Sequence, residues 1–306
     1  KNLKAGRSEQ GSKIVHFREA FHGRSGYTLS LTNTSDPRKT DYFPKFDWPR
    51  VTNPGIIFPQ TDESLARVQA AERQSLSEIR QALVDYRHEI AGLIIEPIQG
   101  EGGDNHFRSE FLQELRILAD EAEFLLIFDE VQTGFGTTGT WWCFEQLNVV
   151  PDLLAFGKKS QVCGICAGSR LDEIDSVFQV SSRINSTWGG NLVDMVRCQR
   201  IIEIIDEERL LNNARVVGAR LLDGLRSLQE TFPGQVTSAR GRGMFLAFDL
   251  PSSEIRDSTL EALDAVDLLG LASGSEAIRF RPPLSMTSDE ADEGLKRLEQ
   301  ALSVAL

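Results

Sequence analysis

FLLIFDEVQTGFGTTG, residues Phe124–Gly139, is an apolar run that ends in two acids, Asp129 and Glu130, and passes at once into a turn rich in glycine and threonine. A short continuous apolar run bounded by turn signals reads as a strand buried on both faces, the pattern of a parallel sheet. Open α/β sheets place ligands just beyond the carboxyl ends of their strands, so Asp129 stands where chemistry would be done. A carboxylate there can hold a cationic ring nitrogen, coordinate a metal or cap the turn that follows. A second run of the same kind, PDLLAFGKKSQ (Pro151–Gln161), delivers Lys158 at its carboxyl end with Lys159 beside it. A desolvated lysine loses its proton, and only a neutral amine attacks an aldehyde to make a Schiff base. The other reading of the pair is a solvated charge cluster at a loop edge.

Outward from these two runs, apolar stretches at Lys13 to Phe17, Gly92 to Pro97 and Gly164 to Gly168 read as further buried strands. Helical spacing over Thr61 to Glu89 and Ser109 to Glu121, the latter capped by Ser109, separates several of them. Strand, helix, strand in sequence predicts a mainly parallel α/β sheet. After Trp188-Gly189-Gly190 comes one long helical stretch, about Asn191 to Glu230, then short strands around Val236 to Ala239 and Met244 to Asp249. The expectation is a large domain over residues 1–200 and a smaller C-terminal α+β domain over 201–306. Asn33 to Pro59, rich in proline, asparagine and aromatics without periodicity, reads as an ordered functional loop.

The chain has 306 residues, 41% hydrophobic and 25% charged, enough for a sizeable core. A net charge of −12 with no basic cluster argues against nucleic acid as a partner. The four cysteines are too few for a disulfide framework and point to a reducing, cytoplasmic setting. No apolar run approaches the roughly 20 residues that cross a bilayer, so no membrane partner is expected. The polar start, without a methionine, reads as the frayed end of a helix and suggests a missing N-terminal part.

An acid for a ring nitrogen and a lysine for an aldehyde, converging at one sheet edge, are what a pyridoxal phosphate site needs. With EPIQGEGG (Glu96–Gly103), FHGR (Phe21–Arg24), STWGGN (Ser186–Asn191) and IRFRPPL (Ile278–Leu284), the chain resembles the class III aminotransferases of fold type I. The matching blocks stand in family order over nearly the whole chain. The resemblance implies pyridoxal 5'-phosphate as cofactor, Lys158 as Schiff-base lysine and proton shuttle, and Asp129 beneath the pyridine nitrogen, with Glu130 structural. It implies Gln132 beside the phenolic oxygen, Phe21 and His22 near the ring, and Thr187 reaching the phosphate of a neighbouring subunit's cofactor in a homodimer. Arg24 matches the arginine for the far carboxylate and Arg279 that for the α-carboxylate of 2-oxoglutarate. Glu101 matches a gate that pairs with this second arginine. The resemblance also implies that the glycine- and serine-rich turn holding the phosphate lies upstream of Lys1.

Within the family, HGRSGYTLSLTNT (His22–Thr34), KTDYFPKFDWPR (Lys39–Arg50) and GKKSQVCG (Gly157–Gly164) look most like the lysine 6-aminotransferase branch. The implied reaction passes the ε-amino group of L-lysine to 2-oxoglutarate by a ping-pong mechanism, giving 2-aminoadipate 6-semialdehyde and glutamate. An ornithine or 4-aminobutyrate aminotransferase, or a truncated inactive scaffold, stays open. Of the remaining conspicuous residues, Cys163 and Cys166 form a lone CxxC in an apolar run and read as core. The four histidines lack metal-ligand spacing, so no metal is assigned. Trp141 and Trp142 read as packing anchors.

Overall fold

A computed structural model describes residues 1–34, 36–184 and 186–306; Ser35, in the loop singled out above, and Asn185 lie outside the described residues. In chain order the first part forms β1 (Lys13–Phe17), α1 (Gly26–Leu31), β2 (Arg50–Val51), α2 (Asp62–Asp85), β3 (Ile90–Ile95), the short strands β4 (Ile98–Gln99) and β5 (Asn105–His106), α3 (Ser109–Glu121), β6 (Leu125–Asp129), β7 (Leu153–Phe156) and β8 (Gly164–Ala167). The main sheet has the order β2-β1-β3-β6-β7-β8, parallel throughout except for β8, which runs antiparallel to β7. Along the central strands one face is sealed in the core, while Ile14, Ile94 and Ile127 on the other are half-buried. Val15, Phe17, Leu93, Ile95, Leu126 and Phe128 are all fully buried in one cluster with Phe111, Leu112 and Leu115 of α3. Phe111 also meets Phe17 edge to face at 6.1 Å between ring centroids.

Helix α2 starts at a reciprocal cap. Ser64 N–H donates to Thr61 Oγ1 and Thr61 N–H to Ser64 Oγ, which satisfies two of the donors a helix start leaves free. For α3 the capping position falls on Arg108 and not on Ser109, which is already helical, and Arg108 makes no side-chain cap. The loop from Asn33 holds a 3-10 turn at Pro37–Lys39 and strand β2, and Phe46, Tyr27 and Trp48 form one aromatic cluster with ring centroids 5.0 to 6.3 Å apart.

The second part contains α4 (Leu192–Glu207), α5 (Leu210–Thr231), β9 (Thr237–Arg242), β10 (Phe245–Asp249), α6 (Ser253–Asp264), β11 (Leu271–Ser273), β12 (Ala277–Phe280) and α7 (Ser288–Ala305). Its sheet is antiparallel in the order β11-β12-β10-β9 and shares a core with α5, α6 and α7. The expected single helix from Asn191 to Glu230 is two helices. Arg209 takes a left-handed φ of 53°, which redirects the chain so that Ala214, Val217 and Leu225 of α5 turn inward. Strands β11 and β12 are too short for their alternation to be read locally. Cys163 and Cys166 are exposed, not core: Cys166 lies in β8, an edge strand with a partner on one flank only, and Cys163 in the turn just before it. No helix among the described residues is long and apolar enough to cross a membrane.

Two turns join the sheets, and both carry site residues. In the glycine-threonine turn after β6, Met244 N–H donates to Thr137 O at 2.8 Å. Gly243 lies so close that a Cβ would sit 2.6 Å from the Thr138 carbonyl carbon, at a φ of +54° that glycine alone adopts freely. In the turn between β4 and β5, Arg240 Nη2 donates to Gly103 O at 2.6 Å, Ser273 Oγ to Gly100 O at 2.7 Å and Gly274 N–H to Glu101 O at 2.9 Å.

Buried Glu130 holds the first turn from inside. Its carboxylate accepts Thr133 Oγ1 at 3.0 Å, Cys143 N–H at 2.7 Å and Phe144 N–H at 2.9 Å. Burial pushes its pKa up to about 7, against those donors. A pKa raised on folding means that stability is full below the ordinary value of 4.5 and is lost as pH climbs towards about 7. Glu130→Gln is expected to lower the unfolding free energy by about 2 kcal/mol, because a donor NH2 replaces one acceptor oxygen. It should also flatten the decline of stability over that pH window. Denaturant titrations at several pH values measure both, and equal slopes in the two proteins would sink the assignment.

Candidate active site

Strands β6 and β7 are parallel neighbours in which Asp129 pairs with Ala155, so Asp129 and Lys158 leave the sheet at the same edge. Asp129 is buried and doubly held: its Oδ2 accepts a hydrogen bond from His22 Nδ1 at 2.8 Å, and its Oδ1 accepts Val131 N–H at 3.1 Å. The His22 side chain is fully enclosed. Burial alone would lower its pKa, but the hydrogen bond it donates to Asp129, with the charges of Asp129 and Glu96, outweighs burial and holds the imidazole above its ordinary value. Nε2 of the same ring is buried without a partner among the described residues.

Glu96 completes this cluster. It is buried at the end of β3 and accepts Phe21 N–H at 2.9 Å and Gly100 N–H at 3.0 Å, tying the strap that carries Phe21 and His22 to the turn that carries Glu101. Burial pushes its carboxyl upward, and the Asp129 charge adds to that, against His22 and the two amides. EPIQGEGG was legible as a motif, but only this contact pattern singles out its first residue.

Lys158 opens a 3-10 turn with a left-handed φ of 53°. Its surface is exposed towards the sheet edge, and its amine makes no hydrogen bond or ion pair among the described residues. The protein crowded around it still depresses the ammonium below the usual lysine range through desolvation. Glu96 and Asp129 oppose that shift, while Arg279 and Arg281 reinforce it. Burial also lowers the pKa of Lys159, with Arg281 acting the same way.

Gln132 and Arg279 meet over this edge. Gly100 leaves no room for a side chain, since its Cβ would lie 2.5 Å from Gln132 Oε1, and that same oxygen accepts Arg279 Nη1 at 3.5 Å. Arg279 comes from β12 of the second sheet and is half-buried, with Nε lacking a partner among the described residues. Desolvation and the Arg281 charge lower its pKa. Arg281, the other arginine of the IRFRPPL block, is committed elsewhere: it pairs with Asp104 at 2.7 Å and lies 3.3 Å over the Phe245 ring.

The structure thus gathers Asp129, His22, Lys158, Gln132 and Arg279, with Phe21 half-buried beside His22. Glu101 is in the same region, but its ion pair is with Lys39 and not with Arg279. Lys39 reaches it from the Pro37–Lys39 turn of the aromatic loop, a residue that no local pattern marks. Arg24 and Thr187 are exposed and make no side-chain contact with this group among the described residues. The described residues also contain no cluster of three or more His, Cys, Asp or Glu that could hold a metal ion.

The chain matches the aminotransferase class-III family over residues 2–302. It is 50% identical over 295 residues to the L-lysine-epsilon aminotransferase of Mycobacterium tuberculosis, covering 96% of this chain and 65% of that protein. Against the L-lysine-epsilon aminotransferase of Amycolatopsis lactamdurans it is 49% identical over 293 residues, 95% of this chain and 65% of the relative. Its structure is similar to that of a lysine aminotransferase from M. tuberculosis in the internal aldimine form, with a TM-score of 0.96 at 48% identity over 100% of this chain and 70% of that one. This chain therefore spans about 65% of the length of the curated relatives it matches. The family match takes in the strand ends that carry Asp129 and Lys158 as well as the second sheet that carries Arg279, and the chain belongs to the class III aminotransferases.

Proposed function

We propose that the protein containing this chain is a pyridoxal 5'-phosphate-dependent transaminase that moves the ε-amino group of L-lysine to 2-oxoglutarate, giving 2-aminoadipate 6-semialdehyde and glutamate. One arrangement carries this reading: a lysine amine of depressed pKa beside a buried His-Asp pair, facing a half-paired guanidinium from the second sheet. Likeness to the two L-lysine-epsilon aminotransferases favours lysine as donor.

The residues present fit the cofactor. Lys158 offers an amine without a protein partner, and Asp129 is a carboxylate braced by His22. When bound, pyridoxal phosphate supplies an aldehyde for that amine and a ring that accepts electrons from the C–H bond being broken. Asp129 would keep the ring nitrogen protonated, and His22, hydrogen-bonded to Asp129, would keep it oriented and supply the countercharge that lets it stay buried. Lys158 Nζ, when neutral, would be the base for the proton on the substrate carbon. Of the remaining residues that would hold the group, Gln132 would serve its phenolic oxygen, Phe21 its ring face, and Thr187 the phosphate bound in a partner subunit. Arg279 takes the α-carboxylate of 2-oxoglutarate and Arg24 the far carboxylate, each as a bidentate fork.

The family resemblance implies a homodimer, and the exposure of Thr187 beside exposed Trp188, Leu192, Val193 and Val196 supports that reading. Apolar side chains gathered on one helix start mark a surface that another chain covers. The four cysteines, free among the described residues, suit a reducing compartment, and we assign the enzyme to the cytoplasm.

Three outcomes are expected. The absorbance band of the bound cofactor should shift on adding L-lysine and return with 2-oxoglutarate; Lys158→Ala should abolish it and Lys159→Ala should not. A band that responds to ornithine or 4-aminobutyrate but not to lysine would move the donor assignment. In imidazole NMR titrations His22 should titrate above the ordinary value, and Asp129→Asn should bring it below, because burial then acts with less opposition. Sedimentation should give a dimer, and a monomer that keeps full activity would refute the shared phosphate contact of Thr187.

A further inference from the structure

Glu101 has one carboxylate, paired with one cation, Lys39, and acting through its charge on a second, Arg279. Its Oε1 accepts Thr34 Oγ1 at 2.9 Å and is paired with the Lys39 ammonium, while its Oε2 is buried without a partner among the described residues. Across the site, Arg279 touches only Gln132, at 3.5 Å, and its buried Nε also has no partner among them. The Glu101 charge is one of those that act on Arg279, so the two groups share one field.

Lys39 is well placed to be a competitor of Arg279. Its neighbour Arg38 is tied to Asp36 through two hydrogen bonds, which leaves Lys39 as the cation of this turn that faces Glu101. The side chains of the pair are 33% and 16% exposed. A pair fully sealed from water would be too costly to break during turnover, and a fully exposed one would hold nothing. Intermediate exposure suits a contact that forms and releases.

We propose that Lys39, with Thr34, is a second berth for Glu101 and so determines how the site discriminates between its two substrates. With Glu101 on Lys39, Arg279 is uncompensated and open to the carboxylate of a dicarboxylic acceptor. With Glu101 released, its carboxylate neutralises Arg279 and the site suits a donor that brings an amine, and no carboxylate, to that end. This inference rests on the aminotransferase reading. Its new content is that a residue of the aromatic loop, and not only the arginine, sets the position of Glu101.

The test compares the whole polypeptide, loaded with cofactor, as wild type, Lys39→Met, Lys39→Arg, Glu101→Gln and the Lys39→Met/Glu101→Gln double variant. Glutarate, a dicarboxylate without the reactive keto group, is the calorimetric probe, and KM is measured for both substrates. Lys39→Met should weaken glutarate binding and raise the 2-oxoglutarate KM by roughly fivefold, as expected for losing a partly exposed ion pair. The lysine KM should move less, Lys39→Arg should restore binding, and the Lys39→Met effect should vanish in the Glu101→Gln background. Equal glutarate affinity in wild type and Lys39→Met, or a loss that persists without Glu101, would overturn the second berth alone. A wild type that binds no dicarboxylate would overturn the proposed function and the berth together.

Discussion

The buried contact between Arg281 and Asp104 is the constraint on which the geometry of the site depends. Asp104 lies in the turn between β4 and β5, Arg281 just beyond β12, and the 2.7 Å pair is backed by Arg240 on the Gly103 and Asp104 carbonyls. Removing one partner would strand a buried charge, at a cost of about 3–5 kcal/mol. Side chains two apart along an extended chain share a face, so anchoring Arg281 sets the direction of Arg279. Without that lock the second sheet could slide, and Arg279 would lose its place over Gln132.

The charges on the first sheet balance in a related way. Two carboxylates, Glu96 and Asp129, lie buried near one another, a situation that normally forces one of them to take a proton. The imidazole of His22 sits between their demands, paired with Asp129 and raised by both charges. Glu96 spends its own lone pairs on the amides of Phe21 and Gly100, so the same electrostatic cluster also sets the path of two loops. Lysine and arginine respond in the opposite sense: desolvation depresses both Lys158 and Arg279, and the Arg279 charge makes that of Lys158 less favourable. The edge thus carries an amine of lowered pKa and a guanidinium whose Nε has no partner among the described residues.

Much of this was legible in the residues themselves. A parallel strand buried on both faces has to be written as an unbroken apolar run, and its end is marked where the run meets acid, glycine or lysine. That rule located Asp129 and Lys158, and with the motif blocks it brought in His22, Gln132 and Arg279. The parallel sheet and the smaller α+β unit followed from the same periodicities. The break at Arg209 did not, because helical spacing continues across it and only packing of α5 on its sheet demands the turn.

What the sequence by itself determined is which residues are apolar or charged and with what period, and hence which elements form and where their ends lie. Which partner a charged side chain takes was decided only by tertiary structure, since that depends on what lies across space. Arg281 and Arg279 are two residues apart and alike in sequence, yet one is sealed against Asp104 and the other left open. Glu101 sits in a motif but rests on a lysine from a loop 62 residues away, and Cys166 is apolar in context but exposed because its strand is at an edge. Local pattern encodes burial through its period, whereas ion pairing and edge exposure depend on chain segments brought together by the fold.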